Sequence, residues 1–263
     1  MSITTVDDHL IHYEALGRGE PLIFIHGWIG SWRYWWPSMQ SLSTHYRSFA
    51  FDLWGFGDSS KVQEKYKFDE YVEMLGKLID RLGMAQPVTI VGHSLGAAVG
   101  LRYATQNPGV VKRLAAVALP IQGDYLNTRL VDSNADTLIS RVLGKANSYP
   151  EVESELRKID AQAVNRVAEE LLGENFAIDL DRAPCPVLLV FGEQDPVIEQ
   201  PTGDYYHFQK SGNNRAYVAF ESCNHFPMLE ETAKFNRLIL EFMRANNNLA
   251  DLSPKEYWQR RTN

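Results

Sequence analysis

Cysteine is nearly absent: the chain has two in 263 residues, Cys185 and Cys223. Two thiols without metal-ligand spacing build neither a disulfide framework nor a zinc site, so both read as buried thiols, and a disulfide between them is not implied. Long apolar runs are missing too. The longest, residues 114–121, has the length of a strand, and residues 1–19 are polar and acidic with no apolar stretch of the kind a secretion signal needs. The expectation is a cytoplasmic protein with no membrane partner. Positive charge is in deficit: 26 Lys and Arg stand against 33 Asp and Glu, for a net charge of -7. With no basic stripe to offset that balance, a phosphate backbone would be repelled, and nucleic acid is not an expected partner. Internal repeats and low-complexity tracts are also lacking.

What is present suits a soluble globular protein. A 44% hydrophobic and 22% charged composition supplies a sizeable core, and 263 residues allow one large α/β domain with an insertion. Short β-branched apolar runs at 21–26, 47–52, 88–91, 113–118, 187–191 and 216–220 alternate with amphipathic segments, which predicts a mostly parallel sheet with helices on both faces. Residues 2–6 and 9–15 flank Asp7-Asp8 and predict an antiparallel hairpin at one edge, giving about eight strands.

The sixty or so residues between the fourth and fifth of those runs are too many for one crossover. They predict a helical cap over 122–182, inserted in a core formed by 1–121 and 183–263. Within the cap, Ser148 and Glu151 have capping-box spacing, Pro150 sits near a helix start, and Leu156, Ile159, Ala163, Val167 and Leu171 recur at helical intervals, predicting one long helix. The polar tail after Asn246 could pack a last turn through Leu249, Leu252, Tyr257 and Trp258.

The strongest chemical signal is Gly92-His93-Ser94-Leu95-Gly96, placed between the apolar strand at 88–91 and a helix over 97–105. A serine on so sharp a turn needs glycine two residues to either side, and it sits where free helix N–H groups favour a developing negative charge. The spacing alone is weak; what strengthens it is a carboxylate and a histidine downstream in the order Ser, Asp, His. Gly192-Glu193-Gln194-Asp195-Pro196 follows a buried strand and offers Asp195, with Glu193 as the alternative closer to the strand end. Asn224-His225-Phe226-Pro227 follows the last strand and offers His225 as general base and acid, with Asp195 orienting it. His26-Gly27-Trp28-Ile29-Gly30 follows the first parallel strand and supplies a second loop. Backbone N–H groups of Trp28 and Leu95 are the expected oxyanion donors, with His26 as a structural residue that fixes the loop. Trp32, Trp35 and Trp36 have the spacing to pack a helix on the sheet, while Trp28, Trp32 and Phe226 are candidate pocket walls.

These four elements and their order resemble the α/β-hydrolase superfamily over nearly the whole chain. The stretch Phe51-Asp52-Leu53-Trp54-Gly55-Phe56-Gly57-Asp58-Ser59 is similar to a loop of that superfamily in which the likeness makes Asp52 and Ser59 structural. In layout the chain resembles capped esterases, cofactor-free haloperoxidases and carbon–carbon bond hydrolases. Ser94 departs from the aspartate nucleophile of the dehalogenases and epoxide hydrolases of this fold. His93 departs from the asparagine common at that position in carbon–carbon bond hydrolases. The resemblance fixes the fold better than the substrate; the expectation drawn from the triad is hydrolysis of a small or medium carboxylic ester through an acyl-enzyme on Ser94, with no cofactor and no metal, in a monomer or small homo-oligomer. Two other readings stay open. The same triad could serve carbon–carbon cleavage or perhydrolysis, where Arg129 or Arg141 facing the pocket would favour an anionic substrate; or the fold could serve as a small-ligand receptor without turnover.

Overall fold

The structure is a computed structural model, and it describes residues 2–123, 149–201, 214–246, 249 and 252. Eight strands form one sheet: β1 (Ser2–Val6), β2 (His9–Leu16), β3 (Pro21–Ile25), β4 (Arg47–Phe51), β5 (Val88–His93), β6 (Val111–Val117), β7 (Val187–Gly192) and β8 (Arg215–Phe220). Their order across the sheet is β1-β2-β4-β3-β5-β6-β7-β8. The first three in that order pair antiparallel, and every pairing from β4 onward is parallel. Asp7 and Asp8 both take positive φ, 49° and 62°, the twist a two-residue hairpin needs to pair Val6 with His9. Strands β3, β5 and β7 are buried along their full length. A sheet covered on both faces requires continuous apolar runs of this kind, which is why their positions are legible in the sequence.

Helices α1 (Trp36–Leu42), α2 (Phe68–Arg81) and α3 (Leu95–Gln106) join the early strands. Helix α2 turns Phe68, Tyr71, Val72, Met74, Leu75, Leu78 and Ile79 inward at three- and four-residue intervals, an apolar stripe against the core with charged residues opposite. Helix α3 is apolar nearly all round and rich in Gly and Ala, as suits the helix wedged most deeply against the sheet. Trp32–Trp35 forms a short 3-10 turn before α1. Trp35 is fully buried and Trp32 nearly so, but Trp36 is exposed, which corrects the expectation that all three pack inward. Residues three apart eclipse on a 3-10 turn, so Trp32 and Trp35 share a face that Trp36, one residue further round, leaves.

Between β6 and β7 the described residues form α4 (Pro150–Glu153), a 3-10 turn (Leu156–Lys158), α5 (Ala161–Leu172) and α6 (Ala177–Arg182). This corrects the single long helix expected there. Asp160, with its side chain accepting from Gln162 N–H at 2.9 Å, caps α5 and starts it ten residues after Pro150. Ser148, Arg129 and Arg141, on which parts of the sequence reading fell, lie outside the described residues, as do Tyr257 and Trp258. Leu249 is buried and Leu252 partly so, against the core. The segment is pinned to the sheet side by polar contacts: Asp160 N–H to Gly55 O at 2.8 Å, Tyr66 Oη to Asp160 at 2.8 Å, and the buried Glu155 to Arg33 Nε at 2.8 Å. Arg102 on α3 holds both Glu174 and Asp179. Helices α7 (Pro227–Glu230) and α8 (Thr232–Arg244) close the fold, and no helix of the described residues is long and apolar enough to cross a membrane. Both cysteines are free and buried, and burial pushes the Cys185 and Cys223 thiols up to about 11 and about 12.

Candidate active site

The parallel strands deliver the sequence-predicted residues to one edge of the sheet. Ser94 follows β5 directly, with φ 51° and ψ -114°, outside the regions a residue with a Cβ ordinarily adopts. Its N–H donates to Val117 O at 2.8 Å, and its C=O accepts from Ala97 and Ala98 N–H as α3 begins. The flanking glycines are required by close approach: a Cβ on Gly92 would collide with Gly96 O, and one on Gly96 with Ile25 O. Strand β5, helix α3 and the loop after β3 therefore meet backbone to backbone at this turn.

His225 lies after β8, with its Nδ1 2.8 Å from Asp195 Oδ2, after β7. The other Asp195 oxygen, Oδ1, accepts from Val197 N–H at 2.7 Å and Ile198 N–H at 3.1 Å, so both oxygens of this nearly buried carboxylate are committed. Glu193 is exposed and stays outside this arrangement. The two loops are stitched together by Glu193 N–H to Phe220 O and Gln194 N–H to Cys223 O. Glu230, which sequence reasoning did not single out, clamps the histidine loop by accepting from Asn224 N–H at 2.8 Å and Phe226 N–H at 3.1 Å. The ring of His225 stands 4.5 Å from that of His93, the residue next to Ser94.

The loop after β3 touches the same turn, since a Cβ on Gly27 would lie 3.0 Å from Ser94 Cβ. Gly27 N–H is already taken, donating to Tyr34 Oη at 2.6 Å. Neither Trp28 N–H nor Leu95 N–H has a partner among the described residues, consistent with free donors at a loop and in the first turn of a helix. His26 donates from Nδ1 to Gly27 O at 2.8 Å and accepts Leu53 N–H at Nε2, tying this loop to the one after β4. There Asp52 accepts from Trp32 N–H, Asp58 N–H and His12 Nδ1, and its carbonyl accepts from Ser59 Oγ. Of the candidate pocket walls, Phe226 is buried among the rings of His93, Tyr34 and Tyr149, whereas Trp32 stands against His12 and Trp36 on the hairpin side. The indole N–H groups of Trp28 and Trp32 are buried with no partner among the described residues.

Burial holds the imidazoles of His26 and His93 below the ordinary histidine value of 6.5, His93 well below it. Such groups take up a proton only on unfolding, so the unfolded chain binds more protons once the pH falls under about 6.5. Their contribution to stability is fully present above that value and is lost as the pH drops toward the folded values. His12 runs the other way: burial lowers it, but the Asp52 carboxylate raises it further, and its contribution persists in acid. In urea unfolding at pH 7.5 and 5.0, the parent protein is expected to lose more stability on acidification than His26→Gln, which has no imidazole to protonate. Equal losses would show that a neutral buried His26 is not the source.

The whole arrangement of sheet order, elbow and loops is the α/β-hydrolase fold. Residues 20–143 match a family described as alpha/beta hydrolase fold. Over 271 aligned residues the chain is 27% identical to the non-heme chloroperoxidase CPO-A1 of Kitasatospora aureofaciens, covering 91% of this chain and 98% of that one. It is 25% identical over 258 residues to the 2-hydroxy-6-oxo-6-(2'-aminophenyl)hexa-2,4-dienoic acid hydrolase of Metapseudomonas resinovorans, covering 88% and 86%. The enol-lactonase of Burkholderia xenovorans LB400 has the same fold, with a TM-score of 0.79 at 17% identity over 93% of this chain and all of that one. The haloperoxidases and hydrolases that the layout of the sequence resembles are thus among its relatives.

Proposed function

We propose that the protein hydrolyses small or medium carboxylic esters through an acyl-enzyme on Ser94. The observation that carries the reading is the positive-φ Ser94 at the head of α3, on the sheet edge that also bears the hydrogen-bonded His225–Asp195 pair. Asp195 accepts the Nδ1 proton of His225, which leaves Nε2 with a lone pair to take the Ser94 proton. Ser94 Oγ then bonds to the ester carbonyl carbon while the carbonyl π pair moves onto oxygen, facing Trp28 N–H and Leu95 N–H. As the tetrahedral species collapses, the bond to the alkoxy oxygen breaks, His225 returns the proton to that oxygen, and the alcohol leaves. Water repeats the sequence against the acyl-enzyme, releasing the acid and restoring Ser94. Every proton is handled by His225, so activity should persist in EDTA.

The relatives named for chloroperoxidase and dienoic acid hydrolase activity give a second reading, in which the same three side chains act on peroxide or on a dienoic acid. A p-nitrophenyl ester series from acetate to octanoate, run with EDTA, separates these. Repeated turnover with a preference for one chain length supports ester hydrolysis and sizes the acyl pocket. No turnover overturns it and moves attention to the second reading, or to a receptor role if those substrates fail as well.

A further inference from the structure

Two buried side chains that the proposed mechanism leaves unused join its two halves. Tyr34, in the 3-10 turn after the Trp28 loop, accepts Gly27 N–H at 2.6 Å and lies 2.9 Å from His93 Nδ1; His93 Nε2 lies 2.8 Å from His225 O. Only one set of proton positions fits this chain. A carbonyl oxygen cannot donate, so His93 Nε2 carries the proton and donates to His225 O. In the neutral ring Nδ1 then has a lone pair, and the Tyr34 hydroxyl donates to it while accepting from Gly27. A doubly protonated His93 would make Tyr34 Oη the acceptor of both N–H groups and leave the Tyr34 O–H without an acceptor among these partners. Burial disfavours the imidazolium and likewise the phenolate, so the arrangement is held in one state.

We propose that Tyr34 and His93 are positioning residues, a two-side-chain strut that sets the spacing between the oxyanion loop at Gly27-Trp28 and the main chain of His225, with Ser94 next to His93 in the chain. The strut rests on the roles given above to Ser94, His225 and Trp28. By engaging Gly27 N–H, Tyr34 fixes the His26–Gly27 peptide, while His26 Nδ1 donates to Gly27 O in the next peptide, so the two contacts together set the direction of the Trp28 N–H. By donating to His225 O, His93 fixes the backbone from which the general base hangs. Because His93 also precedes Ser94 in the chain, nucleophile, base and oxyanion donor share one rigid support. Phe226 packs its ring against both side chains, with Tyr149 against Phe226 in turn, and this aromatic cover disfavours water that could replace the hydrogen bonds.

A strut of this kind acts on the transition state more than on substrate binding, because a small misplacement of a donor costs rate while leaving the pocket intact. Tyr34→Phe is expected to lower kcat for p-nitrophenyl acetate by about tenfold to a hundredfold, with KM changed less than about threefold. The affinity for butylboronic acid, which forms a tetrahedral adduct with the serine, should weaken by the same factor as kcat/KM. His93→Leu should behave alike, His93→Gln should recover part of the loss by restoring a donor toward His225 O, and Tyr34→Phe/His93→Leu should be no slower than the slower single variant. Melting temperature and burst titration set each rate per folded site, and the His93 pair carries the test if Tyr34→Phe does not fold. Parental kcat in the folded single variants, or losses that multiply in the double, would overturn the strut while Ser94→Ala remains inactive. A parent without ester turnover, or an active Ser94→Ala, would instead overturn the reading on which the strut rests.

Discussion

Ser94→Ala and His225→Ala are each expected to lower kcat for p-nitrophenyl ester hydrolysis on the order of 10⁵-fold, with the melting temperature of Ser94→Ala essentially unchanged. Alanine at 94 removes only the hydroxyl oxygen, and Ser94 Oγ carries none of the bonds that build the elbow: those run through Ser94 N–H to Val117 O and from Ala97 and Ala98 to Ser94 O. Catalysis and folding are therefore separable at this position. The double variant should be no slower than either single one, because neither residue has a partner to act with once the other is gone.

Asp195→Asn sharpens the test. In the parent protein Oδ1 is fixed by the N–H groups of Val197 and Ile198, so the carbonyl oxygen of an asparagine must stay on that side. Its amide NH2 is then turned toward His225 Nδ1, where it donates instead of accepting. The imidazole proton is driven to Nε2, the nitrogen that must receive the Ser94 proton, and kcat is expected to fall on the order of 10⁴-fold with little change in KM. Retention of more than about a tenth of parental activity by Asp195→Asn would mean that Asp195 does not set the tautomer of the working histidine, and an active Ser94→Ala would end the acyl-enzyme reading.

The legibility of these residues in the sequence has a physical origin. Strands buried on both faces must be continuously apolar, and the turns that end them on the Ser94 side must be tight, so β3, β5, β7 and the elbow announce themselves over five or six residues. The hairpin at Asp7-Asp8 is legible for the same local reason. What failed to show depends on partners distant in sequence. The apolar positions Leu156, Ile159, Ala163, Val167 and Leu171 fit one helical stripe, yet the chain breaks at 156–160 because Glu155 reaches Arg33 and Asp160 reaches Gly55 and Tyr66. No periodicity carries those contacts. The strut is hidden likewise: Tyr34 and His93 are 59 residues apart, and His93 and His225 are 132 apart. A histidine before the nucleophile could be compared with a family pattern, but its two partners become visible only once the fold brings the loops together.

The largest expected effect on stability lies at Asp52, away from the triad. Its carboxylate is fully buried, and it accepts Trp32 N–H at 2.8 Å on Oδ1 and both His12 Nδ1 and Asp58 N–H at 2.9 Å on Oδ2. Asp52→Ala leaves these three donors without their acceptor in a site where His12, Ser59 and Trp32 are also buried. Breaking a buried pair of this kind costs about 3–5 kcal/mol, which for a chain of this size lowers the melting temperature by roughly 10 °C. The loss should also reach the active site. Trp32 starts the 3-10 turn that holds Tyr34, and His26 binds Leu53 N–H, the residue after Asp52, so releasing Asp52 loosens the support of the Gly27-Trp28 loop from both sides. Below the lowered melting temperature, the folded Asp52→Ala protein is therefore expected to show a reduced kcat, with KM less affected, when rates are normalised to titrated active sites. An unchanged melting temperature would mean that the network reorganises without Asp52. A lowered melting temperature with parental kcat would mean that the oxyanion loop takes its geometry from Tyr34 and His26 alone.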